Sequence, residues 1–267
     1  MIGSASFPVW LFVPGSRPDR FSKAVSSGAD EVIIDLEDAV PDVDKAQARD
    51  WVSAWLSDSG SAWVRINSVR TEWFVSDLEL ARAPGLRGFV LPKTESAEDL
   101  AVLGDVPAVA LIETARGIRS AYQIADEGRP TALAFGSLDF ALDIASSSTS
   151  AVLDHARCEI VLAARSARLS APIDGVTAAI NDVAVVEHDA QHARSLGFGG
   201  KLAIHPAQIE PIRQAFRPSD EEVRWARRVL DAGRGEALAV DGEMVDAPVL
   251  ARAKALVAQV QRVGGAR

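Results

Sequence analysis

"ALIETARG" (residues 110–117) and "LAFGSLDFAL" (133–142) decide the fold, because each sets an acid, Glu113 or Asp139, shortly after an apolar run. A carboxylate so placed sits at the mouth of a strand. The two runs belong to a series: Trp10 to Val13, Val32 to Leu36, Trp63 to Ile66, Phe89 to Leu91, Val109 to Ile112, Leu133 to Phe135, Ile173 to Val176 and Leu202 to Ile204. Most are rich in Val, Ile, Leu or aromatics, lack alternation and stop at turn-forming residues, as parallel strands buried on both faces do. Each is followed by a helical stretch. Eight strand-then-helix units in roughly 210 residues predict an α/β fold of the (β/α)8 barrel type, a TIM barrel, rather than an open doubly wound sheet. Chemistry in such barrels gathers at the C-terminal ends of the strands.

A chain of 267 residues with 48% hydrophobic content can bury one large core or two modest ones, and the regular alternation favours one. A formal charge of -9 argues against general polyanion binding, so no nucleic-acid partner is expected. The lone Cys158 excludes an internal disulfide and a cysteine-built zinc site, and four histidines leave little for a His cluster. The opening "MIGSASFPVWLFVPGSRPDR" has no basic segment before an apolar stretch, and its apolar part is too short for a signal peptide or a membrane span. The expectation is a soluble cytoplasmic protein with no membrane partner.

After the first strand, Pro18 and Gly28 bracket a helix, and Pro41 opens an amphipathic one. The third helix is predicted over about Glu72 to Arg82, before the Pro84-Gly85 turn. Thr94 and Ser96 are candidate helix caps, and Gly117 interrupts the start of the helix after strand five. A Ser/Thr run at 146–150 reads as a loop over the barrel mouth, followed by a long helix and then by one over about Val183 to Leu196. The barrel should occupy 1–217. Residues 218–267 then form a helical extension, with helices from about Ser219, its cap, to Gly233 and from Pro248 to Arg262. A barrel needs no such tail, so it should cap the barrel or cross to a neighbouring copy in a homo-oligomer.

Glu113 and Asp139 supply two hard oxygen ligands from adjacent strands, which suits Mg2+ because that ion keeps positions for water or substrate oxygens. Alternatively each acid caps its following helix, or pairs with Arg116 or another base at the rim. Arg65, ending strand three, offers a substrate carboxylate a two-point contact, or an internal ion pair to Glu37 or Asp38. The two readings are compatible, with Glu37 and Asp38 orienting Arg65 or metal-bound water. Arg17, Arg20 and Lys23 cluster where strand one enters its helix, where a nucleotide phosphate could dock or where they simply form a solvated face. Lys93 and His205 also sit at strand ends, and each has a structural explanation. Asp246 in "DGEMVDAP" reads by itself as a turn residue before Pro248.

Taken together, "LFVPGSRPDRFSKA", "ADEVIIDLEDAV" with "KAQAR", "VRIN", "VLPKTES", "LIETARG", "FGSLDFALD", "AIHPAQI" and "DGEMVDAPV" resemble the citrate lyase beta subunit-like proteins of the HpcH/HpaI aldolase family. The match runs in order through nearly the whole chain. The resemblance implies a TIM barrel, commonly a homotrimer, with Mg2+ on Glu113 and Asp139 and a substrate carboxylate on Arg65. It implies further that Asp246 reaches an adjacent subunit's site as acid or base, with a coenzyme A thioester as substrate. The implied reaction cleaves a hydroxyacyl-CoA such as citramalyl-CoA or malyl-CoA to acetyl-CoA and a 2-oxo acid. Two alternatives keep the same site: a citrate lyase beta subunit acting on an acyl-carrier thioester, and a CoA-independent pyruvate-type aldolase. Those aldolases carry a histidine after the acidic pair of strand two, where this chain has Asp38. A non-catalytic barrel is disfavoured by the joint presence of Glu113, Asp139, Arg65 and Asp246.

Overall fold

Short strands buried on both faces leave no side for water, and closing the sheet on itself removes the remaining edges. The computed structural model describes residues 9–147, 151–232 and 239–264. In it β1 (Val9–Pro14), β2 (Glu31–Asp35), β3 (Ala62–Arg65), β4 (Leu86–Leu91), β5 (Ala108–Ile112), β6 (Ala132–Phe135), β7 (Ile173–Asp174) and β8 (Gly200–Ala203) pair in sequence order. All pairs are parallel, and β1 closes the barrel against β8. The β3–β4 register shifts between Ala62 and Trp63, opposite Gly88 at φ +155°. A Cβ on Gly88 would lie 2.3 Å from the Pro107 carbonyl oxygen and 2.4 Å from the Trp63 ring, so only glycine lets the strands approach there.

The helices that follow the strands are α1 (Phe21–Val25), α2 (Lys45–Asp58), α3 (Phe74–Asp77), α4 (Ala97–Ala101), α5 (Ala115–Asp126), α6 (Ser137–Asp143), α7 (Ala151–Ser166) and α8 (Val183–Leu196). Three sequence expectations need correction. The stretch from Glu72 to Arg82 is only briefly α-helical and continues as a 3-10 helix, Leu78–Arg82. It is tethered by the buried Asp77, which accepts from Arg49 Nε (2.7 Å), Asn67 N (2.8 Å) and Asn67 Nδ2 (2.7 Å). Gly117 does not interrupt its helix: it lies inside α5, where its N–H donates to the capping Thr114 hydroxyl. Ser96 does cap α4, in a reciprocal box with Asp99, but the Thr94 hydroxyl turns back to the Leu91 carbonyl (2.8 Å). Within the Ser/Thr run, 148–150 lie outside the described residues.

β7 is also shorter than the apolar run suggested, because side chains replace its ladder. Lys201 Nζ donates to the Gly175 carbonyl (2.7 Å), and Gln208 Nε2 donates to the Thr177 and Ala179 carbonyls. Beneath this end, the fully buried Asp174 accepts from Lys201 Nζ (2.8 Å) and Arg157 Nε (2.9 Å).

The chain divides into two compact units between Arg213 and Gln214, inside α9 (Ile209–Phe216). In the second unit, α10 (Asp220–Ala232) and α11 (Ala247–Gly264) pack around Ala226, Val229, Ala253 and Leu256. Ser219 caps α10 in a box with Glu222, while the expected end at Gly233 lies outside the described residues. Between the helices, β9 (Ala239–Val240) and β10 (Glu243–Met244) form a hairpin that the sequence reading missed. Its two-residue loop, Asp241-Gly242, has positive φ at both positions, as a tight hairpin turn requires. Among the described residues no helix is long and apolar enough to cross a membrane.

Asp174→Ala should destabilise the protein by about 3–5 kcal/mol, because it leaves the buried Lys201 ammonium without its counter-charge. Urea unfolding of the variant beside wild type measures this, and a loss below about 1 kcal/mol would show that Lys201 finds solvent or another partner.

Candidate active site

The register between β2 and β3 sets Asp35 opposite Arg65, and from that pairing the site is built. Arg65 Nε and Nη2 donate to the two Asp35 oxygens at 2.7 and 2.6 Å. Its Nη1 lies 3.0 Å from Glu37 Oε2, an ion pair without hydrogen-bond geometry, and 3.4 Å from Asp38 Oδ2. The guanidinium also lies over the Phe12 ring, with Cζ 4.9 Å from the centroid. Arg65 thus makes the internal ion pairs expected with Glu37 and Asp38, but its closest partner is Asp35, which the sequence reading passed over.

Lys93 joins this cluster from the end of β4. Its ammonium pairs with Glu37, and its backbone, at a positive φ of 49°, donates its N–H to Glu113 Oε1 at 2.8 Å. Positive φ is uncommon for a lysine and marks a locally constrained turn. Glu113 follows β5 and is only 1% exposed, and its Oε2 has no hydrogen-bond partner. It does not cap α5, since Thr114 does, and Arg116 lies near Glu95 instead (3.8 Å). The β5–β6 register pairs Ile112 with Phe135 and brings Gly136 against Glu113. A Cβ on Gly136 would come within 2.2 Å of Glu113 Oε2, so glycine here makes room for the carboxylate. That glycine was visible in "FGSLDF", but its purpose was not.

Asp139, in the first turn of α6, lines the same cavity as Glu113, Asp38 and Arg65. Phe12, Leu111, Phe135 and Leu202 supply apolar lining to the same cavity. Its volume is about 150 Å3, comparable to cavities that admit a benzene molecule, which is room for about six non-hydrogen atoms. The sequence reading therefore placed Glu113, Asp139 and Arg65 at one site. Glu37 stands beside Arg65 and Lys93 as a hydrogen-bonded support. Arg17, Arg20 and Lys23 are exposed beyond β1, with Arg17 paired to Asp19 at 2.9 Å. His205 caps a short turn through Nδ1, which accepts from Ala207 N–H. Asp246 belongs to the second unit, where its Oδ1 accepts from Val249 N–H (3.0 Å) as the cap of α11.

The electrostatics follow from crowding acids in a dry place. Burial, then the charge of Glu37, push Glu113 up to about 8, against the pull of Arg65. Burial, then Asp38, raise Asp139, and burial raises Glu37 despite Arg65. Burial opposes ionisation of Asp35 too, yet the Arg65 charge and hydrogen bonds outweigh it and hold Asp35 below the ordinary aspartate value. A buried carboxylate oxygen without a hydrogen-bond partner, on a residue that lines one cavity with a second acid, offers oxygen donors of the kind a hard divalent cation takes. Among the described residues no group of three or more His, Cys, Asp or Glu is arranged to hold a metal ion.

A closed parallel barrel that collects acids and an arginine at the C-terminal mouth of its strands defines a (β/α)8-barrel enzyme. Residues 9–206 match the family model described as HpcH/HpaI aldolase/citrate lyase, and the chain belongs to that family. It is 39% identical over 263 residues to a citrate lyase subunit beta-like protein of Mycobacterium tuberculosis, covering 95% of each chain. It is 33% identical over 273 residues to a (3S)-malyl-CoA thioesterase of Cereibacter sphaeroides, covering 96% of this chain and 95% of that one. The crystal structure of M. tuberculosis CitE in complex with magnesium, acetoacetate and coenzyme A superposes with a TM-score of 0.88, at 37% identity, covering 98% of this chain and 99% of that one.

The raised pKa of Glu113 has a measurable sign. With no cation bound, the folded protein keeps a proton that the unfolded chain releases near the ordinary glutamate value, so this stabilisation is whole at low pH and is lost as pH rises toward about 8. The Tm of chelator-treated protein should fall between about pH 5 and pH 8 and level off above, and Glu113→Gln should remove most of that fall. An identical pH dependence in the variant would remove Glu113 as its source.

Proposed function

We propose that this chain is a Mg2+-dependent carbon-carbon lyase acting on a 3-hydroxyacyl-CoA thioester, such as citramalyl-CoA or malyl-CoA, to give acetyl-CoA and a 2-oxo acid. The observation that carries it is the buried, unpartnered Glu113 oxygen sharing a small cavity with Asp139 and Arg65. Magnesium and coenzyme A are bound by the M. tuberculosis relative, and a malyl-CoA ester is named as the substrate of the C. sphaeroides one. Room for about six non-hydrogen atoms matches pyruvate or glyoxylate.

In this mechanism Glu113 and Asp139 would hold the ion, which would supply Lewis-acid polarisation of the C–O bond when bound. Arg65 anchors the substrate carboxylate, and Glu37 steadies Arg65 and Lys93. We assign removal of the hydroxyl proton to Asp38, which lines the cavity with about half its side chain exposed. As the C–C bond breaks, its electron pair passes to the thioester as an enolate, whose carbon then needs a proton. We assign that transfer to Asp246, contributed by the C-terminal extension, residues 218–267, of a neighbouring copy in a homotrimer. The phosphates of coenzyme A are assigned to Arg17, Arg20 and Lys23, exposed cations beyond β1.

Purified protein assayed against citramalyl-CoA, malyl-CoA and free hydroxy-oxo acids, with and without EDTA, tests the reading. Turnover of a thioester should require Mg2+, and Glu113→Ala and Asp139→Ala should each lower kcat/KM by about 100-fold or more. Full turnover in EDTA refutes the metal assignment, and turnover of the free acids alone establishes the aldolase alternative.

Asp246→Asn should lower kcat by about 10²–10⁴-fold. Asparagine caps helices as well as aspartate does, so α11 and the thermal midpoint should be preserved. Size-exclusion chromatography provides the check: a variant that merely fails to assemble has lost a structural residue.

A further inference from the structure

Asp35 is the acid the mechanism leaves without a role, and it is the one that grips Arg65 most closely. It ends β2, is 2% exposed, and its oxygens accept from the backbone N–H groups of Glu37 (2.9 Å) and Ala39 (3.1 Å) as well as from Arg65. Its position is therefore set by its own strand end, and Arg65 conforms to it. A guanidinium carries five N–H donors in one plane. Asp35 takes two of them, along the Nε edge, and Asp38 takes one from Nη1 at 3.4 Å. Two N–H groups, one on Nη1 and one on Nη2, make no hydrogen bond on a side chain that lines the cavity, although Nη1 also lies 3.0 Å from Glu37 Oε2 as an ion pair. The Phe12 ring lies beneath the guanidinium, 4.9 Å from Cζ, and packs against it.

We propose that Asp35 is a positioning residue: by holding the Nε edge of Arg65 against Phe12, it presents the remaining Nη fork to the carboxylate of the oxo acid. A fork–carboxylate contact depends on direction as well as charge, so turning the guanidinium weakens it even though Arg65 keeps its charge. Asp35→Asn keeps one accepting oxygen but sets an NH2 group against an Arg65 N–H, which drives the guanidinium out of its present orientation. Asp35→Glu restores two acceptors one methylene further out. Phe12→Leu removes the ring while leaving every hydrogen bond in place.

The inference rests on Arg65 being the carboxylate anchor, and the experiment separates the two. Binding of pyruvate in the presence of Mg2+ is measured by calorimetry for wild type, Asp35→Asn, Asp35→Glu and Phe12→Leu, together with Tm and, for the thioester, kcat and KM. Asp35→Asn should weaken pyruvate by about 100-fold, with partial recovery in Asp35→Glu and a smaller loss in Phe12→Leu. Mg2+ binding measured without pyruvate should stay near that of wild type. Wild-type pyruvate affinity in Asp35→Asn, whatever happens to Tm, would show that Asp35 is only a strut. Should Asp35→Asn not fold, unchanged pyruvate affinity in Phe12→Leu overturns the positioning role. Wild-type protein that binds no pyruvate sinks the carboxylate anchor itself, and the inference with it.

Discussion

Five carboxylates, those of Asp35, Glu37, Asp38, Glu113 and Asp139, surround two cations, Arg65 and Lys93, in and around one cavity at the barrel mouth. Burial amplifies this imbalance because water is not there to screen it. The acids respond unequally: Asp35, chelated by Arg65, stays readily ionised, whereas Glu113, with one bare oxygen, holds its proton to about 8. A divalent cation would relieve the same imbalance by taking the place of that proton, so the acid that is costliest to ionise is also the one best suited to hold a metal. The rest of the structure serves to keep these groups together.

The barrel does so with polar struts as much as with apolar packing. On the β2 to β6 side, parallel register aligns Asp35 with Arg65 and Glu113 with Gly136, and Lys93 adopts positive φ to offer its N–H to Glu113. On the β7 to β8 side, where the ladder is short, Asp174, Lys201, Arg157 and Gln208 take over backbone and charge pairing. One side carries carboxylates in excess of cations, while on the other the buried Asp174 is paired with both Lys201 and Arg157. A buried pair that is fully satisfied rigidifies its surroundings, and a buried group that is not is poised to bind.

The second unit follows a different economy. Its small apolar core joins two amphipathic helices, with Arg252 over the Trp225 ring and a tight hairpin between the helices. Asp246 sits where that hairpin meets α11, fixed by one hydrogen bond as a helix cap. A cap gives an exposed carboxylate a defined position, which a proton-transfer group contributed to another copy would need.

By itself the sequence determined that the chain would close into a barrel and where its chemistry would gather. Strand burial on both faces is written locally, as unbroken apolar runs, and each acid or arginine ending a run is placed at the mouth by chain direction alone. Glu113, Asp139 and Arg65 were legible for that reason, and family resemblance supplied the expected metal and thioester. The tertiary structure decided what each side chain meets. Asp35 becomes the clamp on Arg65 only through a register linking residues 30 apart, and Gly136 matters only because Glu113 from the neighbouring strand needs its space. Gly117, which a helix would avoid on propensity, is required in α5 because a Cβ would lie 2.7 Å from the Thr94 carbonyl oxygen. Local pattern sets where the chain turns and what it buries, whereas pKa values, clamps and close approaches arise from neighbours distant in sequence, which no local pattern encodes.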